Sequence, residues 1–362
     1  MKRARAAAGM TLVELMVGLA VGLFVSLIAI SVFVSTRTLN VVNSAGARMG
    51  ENARLAMEAL QDDLRSAAFQ GCQDQATEAA QVTMRLKTPD ATTSGFLAGN
   101  EGGVMGHRGM GTGSGTSFTP ALNPALLALT NRPSDDSDVV SARVPVESQG
   151  WNLTASMATT TAAPTIGTAG AAGSTIQTGD IVLISDCRFA DIFQVTGIPV
   201  GTGELQHIAG GASVPGNADA ALSRSYRDEA VVYRLQTHHY YVAPSVLRPG
   251  TRSLWRLVVP CTDCGANPQE LASGVERLSV AWGIDTDAVV DRSINRYVGA
   301  DTVPVWPNVL SARVQMLVST SQNGVAQNAA ASVAFAGGSV TTGDRRLRTT
   351  LTEVVALRNR AP

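Results

Sequence analysis

Gly9-Met10-Thr11-Leu12-Val13-Glu14, followed by the uncharged stretch Leu15–Val34, is the part of this sequence that decides the fold. Ahead of it stand Lys2, Arg3 and Arg5, with no acid among residues 1–8. An apolar run of about 20 residues makes a helix of roughly 30 Å, the thickness of a bilayer core. The basic flank predicts that the N-terminal end stays in the cytoplasm and that the rest lies outside the cytoplasmic membrane. A secretory signal peptide has a shorter apolar region closed by a small-residue cleavage site. Ser31-Val32-Phe33-Val34-Ser35 offers no such site. A plain signal anchor explains the length and the basic flank but not Glu14. A carboxylate at the lip of an apolar run is costly unless paired.

Past Ser35 the pattern becomes amphipathic. Leu39, Val42, Gly46, Met49, Ala53, Ala56, Leu60, Leu64 and Ala67 recur at steps of three and four, which is a helical stripe. Arg48, Glu51, Arg54, Glu58, Asp62 and Arg65 fall off it, and Arg54 and Glu58 are spaced to pair. No Pro interrupts residues 10–70, so one continuous helix of about 55–60 residues is expected, reaching roughly 80–90 Å. Its C-terminal half is expected to lie on a globular domain and its N-terminal half to project. Gly18, Ala20 and Gly22 permit close approach of another helix, and Gly71 is the expected stop.

The whole chain has 362 residues, 45% hydrophobic and 16% charged, a balance that suits a folded protein rather than wholesale disorder. Its formal net charge of −1 gives no basis for a nucleic-acid surface. Residues 71–362 read as one β-rich domain. Strand-like runs occupy 138–144, 180–185, 192–195, 230–235, 239–242, 253–259, 275–284, 309–320 and 347–357. Leu278, Val280, Trp282 and Ile284 share one face. The Gly-, Thr- and Ala-rich stretches at about 90–120 and 154–178 read as a loop and an exposed insertion. Gly109–Gly115 lacks the Lys and the strand–helix context of a phosphate loop. The expected fold class is α+β, a long N-terminal helix packed on an antiparallel β-rich domain.

Gly9 followed by Met-Thr-Leu-Val-Glu resembles the type IV prepilin signature. The resemblance implies that a prepilin peptidase cuts between Gly9 and Met10 on the cytoplasmic side. It also implies methylation of the new Met10 amine, with Glu14 left as the fifth residue of the mature chain. The family usually has Phe where Met10 stands. The domains then read as a leader at 1–9, a membrane-spanning helix at 10–35 and its amphipathic continuation at 36–70. Since the apolar segment survives the cut, it can leave the bilayer and bundle with its copies. Glu14 is expected to pair with a neighbour's N-terminal amine and set register.

The chain is also similar to the PilW family of minor pilins. The strings that carry this are Gly71-Cys72, Gly179-Asp180 with Ser185-Asp186-Cys187, Gly274-Val275-Glu276, Gly283-Ile284-Asp285-Thr286-Asp287 and Leu357-Arg358-Asn359-Arg360. This resemblance implies a pilin-like fold and a low-copy, non-enzymatic subunit that primes or caps pilus assembly. The implied partners are the prepilin peptidase, the other minor pilins and the major pilin through helix packing, and a large tip adhesin. The implied location is the inner membrane with the β-rich domain in the periplasm, and later the pilus. A type II secretion pseudopilin of the GspJ type is the nearest alternative, and a membrane-anchored binding or thiol-redox protein the next.

In an oxidising periplasm the expected disulfides are Cys72–Cys187 and Cys261–Cys264. By the chain-entropy model the first is worth roughly 4–5 kcal/mol. Cys261-Thr262-Asp263-Cys264 could also be half a zinc site or a redox motif. No second ligand pair stands near it, and Pro260 and Gly265 argue for a loop. Asp285, Asp287 and Asp291 resemble a fragment of a calcium loop, but Val289 and Val290 break the pattern, so solvated turn acids are expected and no metal. His238 and His239 should face opposite sides of a strand, and His107 and His207 lie in Gly-rich segments. No catalytic arrangement and no cofactor is expected.

Overall fold

The computed structural model describes residues 10–71, 81–87, 95–97, 103–111, 117–147, 149–167, 176–210, 214–262, 264–287, 291–326 and 331–360. Helix α1 spans Leu12–Ser66, 55 residues. It starts at Thr11 because that residue builds a capping box. The Thr11 hydroxyl accepts the Glu14 N–H at 3.2 Å, and the Glu14 carboxylate accepts the Thr11 N–H at 3.0 Å. The helix stops short of the expected Gly71. Ala67 is already extended and Ala68 adopts a left-handed φ of 60°. The stop falls here because the Asn359 amide donates to the carbonyls of Ser66 (3.2 Å) and Ala67 (2.9 Å), which the helix leaves unpaired. Gly71 serves the turn instead, at φ 77°, where a Cβ would come within 2.7 Å of Ser185.

Two sheets carry the domain. The larger has ten strands and follows the path β1 (Gln81–Met84), β7 (Phe189–Gln194), β6 (Ile181–Ser185), β8 (Val231–Pro244), β4 (Val139–Pro145), β2 (Val104–Gly109), β3 (Phe118–Thr119). The hub is β8, 14 residues long. One side of it pairs with β6 and then β9 (Arg252–Val259); the other with β5 (Trp151–Asn152) and then β4. Strand β10 (Gln269–Ser273) extends β9. The second sheet is antiparallel, ordered β12 (Arg296–Gly299), β11 (Val275–Ile284), β13 (Val309–Ser319), β16 (Arg348–Ala356). A hairpin of β14 (Ala331–Phe335) and β15 (Gly338–Thr342) completes the described strands.

The buried face of α1 lies over β4, β10, β13 and β16. Ala53, Ala56, Met57, Leu60 and Leu64 pack there against Val314, Met316, Val355 and Leu357, and the β11 face Leu278-Val280-Trp282-Ile284 closes the same core. Fully burying each leucine contributes roughly 1.5–3 kcal/mol. Trp282 fits because β2 offers it a glycine: a Cβ on Gly106 would stand 2.5 Å from the indole nitrogen. So β2 is a strand inside a stretch whose composition reads as loop. The segment after β5 also departs from expectation. Met157, Ile166 and Ile176 are buried against Val182, Ile184 and Phe193, so the 154–178 stretch is in part a cover for β6 and β7 rather than an exposed insertion. Two further differences concern the strands. The runs 230–235 and 239–242 are one strand, since the polar residues between them, Gln236 and Thr237, are buried between neighbours in the sheet. And β1 pairs β7 in parallel, whereas the other strand pairs are antiparallel.

Candidate functional site

The candidate site is the surface of α1. From Leu12 to Val41 its large apolar side chains are all solvent-exposed, and Phe24 and Leu23 are 65% and 67% accessible. This helix is long and apolar enough to cross a membrane, with its most apolar window wholly unburied. Four of its hydroxyls have partners within the helix. Ser26, Ser31, Thr36 and Thr38 donate to the carbonyls of Gly22, Ile28, Val32 and Val34 at 2.8–3.0 Å, which suits a segment without water. Open space surrounds Gly18 and Gly22, so the approach of a second helix meets nothing there. Arg37 sits over the Phe33 ring at 5.5 Å, the first charge after the apolar run. Met10 is exposed, and among the described residues the Glu14 carboxylate bonds to Thr11. Gly9 lies outside the described residues.

The other half of α1 is latched to the sheets by polar side chains as well as by its apolar stripe. Asp63 accepts hydrogen bonds from His238 Nδ1 and the Tyr240 hydroxyl, both at 2.5 Å, and the same hydroxyl reaches the Ala59 carbonyl. Burial and the Asp63 charge push the Tyr240 phenol well above its ordinary value, so it stays a donor. Three turns earlier, Asn52 donates to the Ser273 carbonyl at 3.1 Å. Periodicity by itself does not single out Asp63, an acid among apolar positions. Its signal was there, since it lies seven residues after Ala56, on the stripe rather than off it.

The histidines are structural. His238 faces α1, and its neighbour His239 faces the other way, as alternation along a strand requires. His239 Nε2 meets the Gly95 carbonyl at 2.7 Å and Nδ1 meets Ser141 at 2.6 Å. Complete burial pushes its pKa down to about 4, and burial likewise lowers that of His107, whose Nδ1 bonds to the Pro120 carbonyl. His207 bonds to the Ala162 carbonyl. Asp285, Asp287 and Asp291 do bring oxygens close together, and Asp285 is buried rather than solvated. Those oxygens already have work: Asp285 accepts from the Asp287 and Arg292 N–H groups, and Asp291 from Ser293.

Cys261 and Cys264 are joined by a disulfide, and Thr262 between them donates to the buried Asp180 at 2.7 Å. Cys187 is also disulfide-bonded; Cys72 lies outside the described residues. Glu276 takes both ends of the Arg348 guanidinium at 2.8 Å, and Arg360 donates to the Val309 and Trp306 carbonyls. The short strings that resemble minor pilins are therefore joints between elements.

Residues 239–359 match the family model of the Type IV Pilus-assembly protein W. The matched segment takes in the second half of β8, the whole of the four-stranded sheet, and Asn359 at the end of α1. It thus contains much of the seat on which α1 is docked. No curated protein matches the chain in sequence. Among solved structures, a type IV-like pilin from Thermus thermophilus is similar at 12% identity, over 87% of this chain and 99% of that one, with a TM-score of 0.31.

Proposed function

We propose that this chain is a minor pilin, a structural subunit that primes or caps a type IV pilus and has no catalytic role. In this reading a prepilin peptidase cuts between Gly9 and Met10 and methylates the Met10 amine. The subunit waits in the inner membrane with its β-rich domain in the periplasm. Its apolar half then leaves the lipid and packs among the helices of other minor pilins and the major pilin, with a large adhesin at the tip. Glu14 exchanges its cap on Thr11 for the N-terminal amine of a neighbour. In an apolar bundle an unpaired carboxylate and an unpaired amine are both costly, so the pair selects one axial register.

The observation that carries the proposal is a single helix with two surfaces. One half exposes its large apolar side chains; the other is seated on a segment that matches PilW. That match favours the pilus over a secretion pseudopilus of the GspJ type. The Gly71 turn abuts Ser185, two residues before Cys187, which supports the Cys72–Cys187 pairing. The Cys261–Cys264 disulfide pins a turn through Thr262 and Asp180, which favours a structural role over a redox one.

Intact mass and N-terminal sequencing of the membrane-purified protein test the reading. The expected product begins at N-methylated Met10; a chain that keeps the Lys2–Arg5 leader removes the proposal. Glu14→Ala should be inserted and cleaved normally but be recovered poorly in sheared pili. Co-purification with pilus rather than secretion components separates the two assemblies.

A further inference from the structure

One end of the β-rich domain faces the apolar half of α1. Strand β8 descends along the helix: His238 and Tyr240 meet Asp63, and Arg248, in the turn after β8, lines a cleft with Ser44, Arg48 and Asn52. The link from β13 to β14 reaches farther down, where Gly324 and Val325 line a second cleft with Arg37 and Val41. Arg37 stands three residues past Val34, about 5 Å beyond the apolar run. The headgroup layer of a bilayer is roughly 5–7 Å thick on each side, so with α1 in a membrane this end of the domain stands at the lipid surface.

The β8–β9 turn shows two adjacent apolar side chains to solvent, Val246 at 63% and Leu247 at 74% exposure. The turn is built to hold them out. The Glu270 carboxylate accepts the N–H groups of Val246 (2.9 Å) and Leu247 (3.2 Å), the Ser245 hydroxyl accepts that of Arg248 (2.9 Å), and Pro249 has none. These backbone donors need no water, as entry into an apolar interface requires. Cations stand at the same end. Arg37, Arg48, Arg248 and Arg345, whose carbonyl accepts the Gly324 N–H, form no ion pair among the described residues. No acid lines either cleft, and residues 35–50 of α1 hold two arginines and no acid.

We propose that this end of the domain lies on the bilayer and binds anionic phospholipid, with Val246 and Leu247 among the headgroups and Arg48 and Arg248 pairing with lipid phosphates. A guanidinium matches phosphate oxygens in both geometry and charge. The spanning half of α1 already holds the surface next to lipid, which favours a bilayer over a soluble partner. The inference rests on α1 crossing a membrane and needs nothing further from the pilus reading.

The test reconstitutes the full-length Leu247→Trp protein into nanodiscs of phosphatidylcholine with a rising share of phosphatidylglycerol, the acyl chains brominated near the headgroup. Quenching beyond that of the unsubstituted chain should grow with the phosphatidylglycerol share and weaken as salt is raised. Val354→Trp is the control. Its strand β16 climbs from Leu347, beside Gly46, toward Asn359 at the end of α1, so exposed Val354 stands well above the lipid and its replacement should stay unquenched. In the Leu247→Trp chain, Arg48→Gln and Arg248→Gln should each raise the phosphatidylglycerol share needed for half-maximal quenching about fivefold. Thermal melts confirm that each variant is folded, and the lipid series stands without the arginine variants should one unfold. No quenching of Leu247→Trp in the discs, equal quenching in phosphatidylcholine alone, no effect of either arginine, or release by inorganic phosphate beyond that of sodium chloride at the same ionic strength would each overturn the inference. A chain that does not enter the discs overturns the membrane reading, and the inference falls with it.

Discussion

Between Leu12 and Val41, α1 exposes every large apolar side chain it carries, while between Ala53 and Leu64 it buries Ala53, Ala56, Met57, Leu60 and Leu64. Both halves carry many apolar residues, and their arrangement around the helix separates them. The first half has no polar face, so no single partner covers it; it needs lipid or other helices on every side. The second half has a stripe and needs one partner, which the sheets supply. Hydrophobicity alone therefore does not say where a core is. Whether the apolar residues circle the helix or line up along it does.

The largest way to break this contrast is Leu60→Ala. Leu60 is fully buried, and the loss of its side chain should cost about 2–5 kcal/mol, read as a lower melting temperature of the domain. The next test is acid. His239 is held neutral down to about 4, below the ordinary histidine value near 6.5, so the unfolded chain binds the proton first. This contribution to stability is complete above about pH 6.5 and is lost as pH falls toward 4, about 3 kcal/mol in all. A melting temperature that stays flat over that window contradicts it. Asp63→Ala removes the acceptor shared by His238 and Tyr240 and should cost about 2 kcal/mol. Asn359→Ala frees the last carbonyls of α1 at a cost of about 1 kcal/mol. The smallest effect sharpens the contrast most. Leu23→Ala, in the exposed half, should leave domain melting unchanged, and a measurable drop would mean that this half is docked after all.

The extent to which the chain announces these features depends on how local they are. The stripe from Ala53 to Leu64 and the alternation from Leu278 to Ile284 are local, and both sets are buried as their spacing predicts. What escaped the reading depends on distant partners. Val231–Pro244 looks like two strands because Gln236, Thr237 and His238 interrupt its apolar pattern, yet β4, β9 and α1 surround them. Gly106 reads as loop until Trp282 arrives from β11. At the candidate site, Met10, Glu14 and the apolar run stand next to one another in sequence and could be recognised together. The Asp63 latch could not, because His238 and Tyr240 lie 175 and 177 positions away in the chain.

The clasp of Asn359 on the end of α1 has a consequence for the order of events during synthesis. It joins residues 293 positions apart, and β13 and β16, which complete the seat, are also made late. Helix α1 is therefore made before the elements that lock it down. Until β13, β16 and Asn359 have been made, the striped half of the helix has no finished surface to lie on, and its early synthesis leaves that face uncovered meanwhile.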